Sequence, residues 1–446
     1  MDRRFETRKQ ELLDDCQVSP KVFNGMLTRL EKFTEPFLER LHRVEQKEHA
    51  QTYFQGLLSD LDNKNSEAIA YRHDQDRMGL QLFIGSSPWD HKPLLAELVS
   101  QVGSKIGEAD GVISFDPSAF AKKGNMSVGV QRQWCGRLGK VENCQVGVFM
   151  GYASREEQAL VNVRLYFPKS WVKDKRRRKA CGVPREMRHQ VRHALALEML
   201  AESGGSLPHA WVTGDDEMGR PYCFRRDLNE LGEQYLLAVP SDTLIRDLQA
   251  DPPAYCGHGP RPKAPFQRVS RWCAALPEDA WTQVEVRDGE KGPLRVDIVT
   301  RRVSAHTDRR GVAPPETLVV IRWRDEEGTL KIDYYLSNAP ADTPLEEFAR
   351  VAKAHSRIEQ CLKRSKSEAG LAQYQVRSWN GWHHHITLSL IATWFLVQES
   401  RRGKKMDACD HGTPGPRGPV ALAPPSCTLR HRRANRQRSH ALVGAK

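Results

Sequence analysis

Between Gly111 and Pro240 the chain alternates short apolar runs with amphipathic stretches in a single order: three strands, a helix, a strand, a helix and a strand. GVISFD is the first run and ends at Asp116. CQVGVFMGYA and ALVNVRLYF are two more, joined by the polar turn SREEQ. REMRHQVRHALALEMLAES has the three-and-four spacing of a helix and is stopped by Gly204 and Gly205. HAWVTGDD reads as a strand closing on two aspartates, RRDLNELG as a helix and YLLAVP as a strand. Strands that alternate with helices after an initial meander predict an α/β fold, a mixed sheet with flanking helices.

The flanks differ in texture. Residues 1–105 carry helical periodicity, as in PFLERLHRVEQKEHAQTYFQGLLSDL, and predict a separate N-terminal helical domain, interrupted near GSSPWDHKPL. Residues 106–240 form the first part of the α/β core. Residues 241–335 are richer in Pro and Gly, with QVEVRD, LRVDIV, TLVVIRW and LKIDYYL as strands, and predict a β-rich insertion. Residues 336–402 return to the core with a long amphipathic helix containing Glu359 and a final apolar helix, HITLSLIATWFLVQ. Residues 403–446 lose apolar periodicity and are expected to be a disordered basic tail, either a basic arm or a non-native terminus left by a shifted reading frame.

Three acidic residues fall where this order makes them neighbours. If the first and fourth strands are adjacent, Asp116 and Asp215 project from one sheet edge, and the late helix delivers Glu359. Carboxylates of this kind suit Mg²⁺ or Mn²⁺, hard ions that prefer oxygen ligands. Two such ions serve in-line phosphoryl transfer.

Three blocks give these residues a family context: FDPSAFAKKGNMSVGVQRQWCGRLGKVENCQVGV, WVTGDDEMGRPYCFRRDL and RIEQCLKRSKSEAGLAQYQVRSWNGWHHHITL. With YFQGLLSDLDNKNSEAIA they make most of residues 1–400 resemble the DDE-type insertion-sequence transposases, which have a ribonuclease H-like catalytic core. The resemblance implies Asp116, Asp215 and Glu359 as catalytic residues and ligands of two Mg²⁺ ions, with Mn²⁺ as a substitute. Asp215 is preferred over Asp216 because the family aspartate stands four residues before a glycine, here Gly219. Lys366 matches the family's glutamate-x6-lysine element, on the same helix face as Glu359. Where one branch has tyrosine and arginine before the glutamate, this chain has Ala352 and His355. The implied activity is cleavage at transposon ends, then joining of the 3′-hydroxyls to target DNA. The implied partners are double-stranded inverted repeats and target DNA, held by a homodimer. Two rivals stand beside it: a nuclease without strand transfer, and an inactive or domesticated DNA-binding copy.

Cationic residues are candidates for the DNA surface: Lys122 and Lys123 just past Asp116, Lys366, and Arg176, Arg177 and Arg178 within KDKRRRK. Arg185, Arg188 and Arg192 are spaced for one helix face. Net charge argues little here. Of the +12 total, eleven Lys/Arg against two Asp after residue 400 supply +9. The ten cysteines include no CxxC pair, which leaves no zinc ribbon or disulfide framework in view. His383, His384 and His385 are consecutive, so a helix would point them in different directions, and Trp272 and Trp281 are read as core packing rather than base stacking. No run reaches the length of a membrane helix, and a cytoplasmic, nucleoid-associated bacterial protein is expected.

Overall fold

The computed structural model describes residues 24–259, 261–289, 292–307, 314–325 and 327–410. The expected tail beyond 410 lies outside them. Among the described residues five helices come first: α1 (Met26–Leu38), α2 (Val44–Leu57), α3 (Ser66–Arg72), α4 (Arg77–Gly85) and α5 (Lys92–Ile106). Asn65 and Asp76 start α3 and α4 by accepting hydrogen bonds from the backbone N–H groups of Ala68 and of Met78 and Gly79. Helix α5 buries Leu94, Leu95, Leu98, Val99, Val102 and Ile106, a stripe at helical spacing. That stripe belongs to the same apolar core as the sheet. The boundary expected near residue 105 therefore marks a change of secondary structure, with no break between cores.

The sheet begins with β1 (Val112–Ala121), β2 (Gln131–Cys135), β3 (Lys140–Ala153) and β4 (Gln158–Leu165). Short helices α6 (Lys169–Val172) and α7 (Lys175–Ala180) lead to α8 (Arg192–Ser203), β5 (Trp211–Gly214), α9 (Asp216–Gly219), α10 (Tyr222–Glu230) and β6 (Tyr235–Ala238). β1 is antiparallel to β3 and parallel to β5, and β5 is parallel to β6. β2 and β4 both pair with β3, at its two ends.

Two expectations in this region are corrected. β1 does not stop at Asp116, because residues 116–121 keep pairing with Cys144–Phe149 of β3. Pro117 is tolerated because β5 has ended at Gly214 and leaves that side of β1 without a neighbour. The helix expected from Arg185 starts only at Arg192, so Arg185, Arg188 and Arg192 share no helix face. The Arg178 guanidinium holds the Pro184, Arg185 and Met187 carbonyls, which removes acceptors that a helix there would need.

The segment expected as an insertion supplies β7 (Leu244–Asp247), β8 (Gln267–Arg268), α11 (Val269–Ala274), β9 (Thr282–Gly289), β10 (Gly292–Ala305), β11 (Glu316–Arg324) and β12 (Leu330–Ser337). These strands continue the same twelve-stranded sheet, because β12 pairs with β6. They also build a second apolar cluster around Ile245, Trp272, Val303 and Leu318. Trp272 donates to Asp247, and Arg322 lies 4.4 Å from the Trp281 ring, so both tryptophans are engaged within the protein. At the seam Arg225 of α10 donates to Glu316 of β11 at 2.8 Å, both side chains being 3% exposed, and Tyr235 donates to the same carboxylate. Glu316→Ala would strand the guanidinium in the interior. It is expected to cost about 3–5 kcal/mol, read as a lower denaturation midpoint.

Two long helices close the fold: α12 (Leu345–Glu368) and α13 (Trp379–Asp410), the latter running past the boundary expected at Arg402. His383, His384 and His385 of α13 are buried and hydrogen-bonded, to Trp379 O, to Ile84 O and Trp89 O, and to Tyr53 and Gly370 O. Among the described residues no helix is long and apolar enough to cross a membrane.

Candidate active site

Phe115 and Gly214 are the last register pair between β1 and β5. Asp116 and Asp215 each follow by one residue, so they emerge side by side on strands about 4.8 Å apart. The Asp215 carboxylate also accepts the Met218 N–H at 3.0 Å and so starts α9. Both aspartates are partly buried. Burial, then the nearby Glu359 carboxylate, pushes Asp116 up to about 7, with Lys366 opposing. Burial, then the charge of Asp116, pushes Asp215 up to about 8, with the Met218 hydrogen bond opposing. The site is thus short of positive charge.

Helix α12 crosses β1 on the Asp116 face. Gly151 of β3, opposite Ser114, makes this approach possible, since a Cβ there would come 2.7 Å from Ile358. Gly151→Val is expected to push α12 outward and destabilise the chain by about 1–3 kcal/mol, read in thermal melts. Ser114, Asp116 and Ser118 alternate onto one face of β1. Buried His355 sits 2.9 Å from Ser114 Oγ through Nδ1 and 3.6 Å from Glu359 Oε1 through Nε2. Lys366 Nζ donates to Ser118 Oγ at 2.7 Å. Burial lowers His355 to about 4, so a neutral imidazole faces Glu359. Glu359 is itself raised by desolvation and by Asp333. Its side chain is 57% exposed. Among the described residues no three His, Cys, Asp or Glu side chains are gathered as a metal would need. The structure brings Asp116 and Asp215 together and sets Glu359 within electrostatic reach of Asp116, turned toward His355.

The cations are placed unequally. Lys122 folds inward over the Tyr374 ring at 3.2 Å and donates to Tyr374 O, and burial lowers it to about 7. Arg177 pairs with Asp174 and covers Trp171, and Arg178 is held by the carbonyls named above. Lys123 and Arg176 are exposed. Arg192 pairs with Glu217, whose charge reaches both aspartates. Sequence reasoning missed Ser114 and Ser118, although strand alternation about Asp116 marks them, and it gave His355 no role despite its place one helical turn before Glu359.

Fold and site together define an α/β protein with a carboxylate centre where two adjacent parallel strands stop pairing. Residues 36–293 match the family described as DDE superfamily endonuclease, and the chain belongs to that family. The match takes in Asp116 and Asp215 and ends before Glu359. The chain is 26% identical over 334 residues to the probable transposase for insertion sequence element IS701 of Microchaete diplosiphon, covering 72% of this chain and 74% of the relative. The resemblance to DDE-type insertion-sequence transposases is thereby borne out. A piggyBac transposase, solved as a synaptic complex with hairpin DNA, overlays 87% of this chain and 75% of its own with a TM-score of 0.39 at 10% identity.

Proposed function

We propose that the protein is a DDE transposase that cleaves phosphodiester bonds at transposon ends and joins the 3′-hydroxyls to target DNA, with residues 111–238 and α12 as a ribonuclease H-like core. The observation that supports this best is the pair of carboxylates side by side where β5 ends against β1, Asp116 resisting ionisation through burial and the Glu359 charge and Asp215 through burial and the Asp116 charge. An oxygen-only donor set lacking positive charge fits divalent Mg²⁺ or Mn²⁺. Asp116 and Asp215 would hold the ions, with Glu359 turning from His355 to join them. When bound, the ions supply Lewis acidity at the attacked phosphate and lower the pKa of the attacking hydroxyl.

The chain's own residues prepare that geometry. The Met218 N–H fixes the Asp215 carboxylate. Ser114 holds the His355 ring, whose Nε2 faces Glu359 at 3.6 Å. Lys366, anchored on Ser118 beside Asp116, would receive a phosphate oxygen. Double-stranded inverted repeats and target DNA are the proposed substrates, and two copies of the chain would hold two ends. The reading is tested by incubating the protein with labelled DNA from the flanks of its own gene, with Mg²⁺ or with EDTA. Cleavage and joined products are expected only with Mg²⁺. Cleavage without joining would reduce the protein to a nuclease, and undiminished cleavage in EDTA would sink the metal assignment.

A further inference from the structure

The sheet face that carries Asp116 extends well past the carboxylates. Residues directly opposed in an antiparallel pair share a face, and β1, β3 and β2 pair without a register shift. Phe149 stands opposite Asp116, and Asn143 and Val141 lie an even number of steps along β3, so they share its face. Arg132 and Trp134 of β2 are opposed to them in turn. At this far end Trp134 is 61% exposed, Val141 52% and Leu138, in the connecting turn, 44%. β2 is the outermost strand of its end of the sheet. Scattered exposed apolar residues are ordinary, but an exposed tryptophan cross-paired with an exposed valine on an edge strand invites a partner.

The surroundings favour a polyanion. Arg132 is exposed beside Trp134, and exposed Lys123 lies in the loop between β1 and β2. Glu142, an acid on this hairpin, is already paired with Lys140 at 3.3 Å. With Lys366 near Asp116, the cations trace the face from the carboxylates to the tryptophan. We propose that the β2–β3 hairpin is a DNA contact, with Trp134 laid against bases or sugars of the duplex that continues from the phosphate at Asp116. The inference rests on the reading of Asp116 and Asp215 as the cutting site. Eight residue steps along β3 separate Phe149 from Val141, about 26 Å at 3.3 Å per residue. That is the length of roughly eight base pairs.

The test compares the full chain with Trp134→Ala, Trp134→Phe and Arg132→Ala by anisotropy on labelled duplexes from the flanks of its own gene. One duplex is long, and one is cut back to fewer than about eight base pairs past the mapped cut. Trp134→Ala should bind the long duplex about tenfold more weakly, the scale of one aromatic–nucleotide contact, with an unchanged salt slope. Trp134→Phe should recover most of the loss, Arg132→Ala should lower the salt slope by about one, and all should bind the short duplex like the unaltered chain. Wild-type affinity of Trp134→Ala on the long duplex overturns the proposal. So does a change in its oligomeric state without DNA, which would make the hairpin a contact between copies. If the unaltered chain binds but never cuts while Trp134→Ala binds weakly, the cutting-site reading fails and the hairpin contact stands. If both cut and bind alike, the reverse holds.

Discussion

Asp116→Asn is expected to reduce strand cleavage by about 10³-fold or more while leaving duplex binding within a few-fold of the unaltered chain. Asparagine keeps the shape of the side chain but not its charge, so the oxygen it offers a divalent ion is neutral. An ion at such a centre contributes several kcal/mol of transition-state stabilisation, and each 1.4 kcal/mol is a factor of ten in rate. Binding is spared because the residue lies between β3 and α12 and is surrounded by acids, a poor place for phosphate without a metal. Asp215→Asn should behave alike, its cap to Met218 preserved because asparagine also accepts there. The check is a cleavage gel beside a binding titration. Full cleavage by either variant would remove its aspartate from the site.

The second large effect runs the other way, toward stability. In the unfolded chain both aspartates lose their protons near the ordinary value of about 4. In the folded, metal-free chain they hold them to about 7 and about 8. Across that window the folded state binds more protons, so its stability falls as pH rises from about 4 to about 8 and levels off above. In EDTA at pH 8, Asp215→Asn should therefore stabilise the protein by about 5 kcal/mol, a rise in melting temperature of about 5 °C. At pH 4 the two proteins should melt together. Added Mg²⁺ should stabilise the unaltered chain far more than the variant. An unchanged or lower melting temperature for Asp215→Asn at pH 8 would mean that the carboxylate pair carries no such strain.

The end of β5 was legible because an apolar run, a glycine and a pair of acids coincide there, whereas the choice of Asp215 over Asp216 came from the family spacing to Gly219. The strands of 282–337 were legible from alternation. Other features depend on partners that sequence spacing does not contain. β1 runs past Asp116 because β3 continues beside it, whereas Pro117 reads locally as a stop. β2 was not read as a strand, since QRQWC shows no apolar alternation and its tryptophan faces outward. Arg185, Arg188 and Arg192 have helical spacing, yet a single distant arginine ties down the carbonyls between them. Lys122 resembled a phosphate ligand and is instead laid over Tyr374. The direction taken by Glu359, toward His355, is a rotamer and beyond the reach of periodicity.

The joining of β12 to β6 bears on how this chain can be shortened. Excising 241–335 would take Tyr335 from opposite Ala238 and leave Leu336 and Ser337 as a two-residue stub against β6, too short to cover that margin against any passing chain. A compact version would have to keep β12 as a selvedge, so that the trimmed cloth does not fray into aggregates.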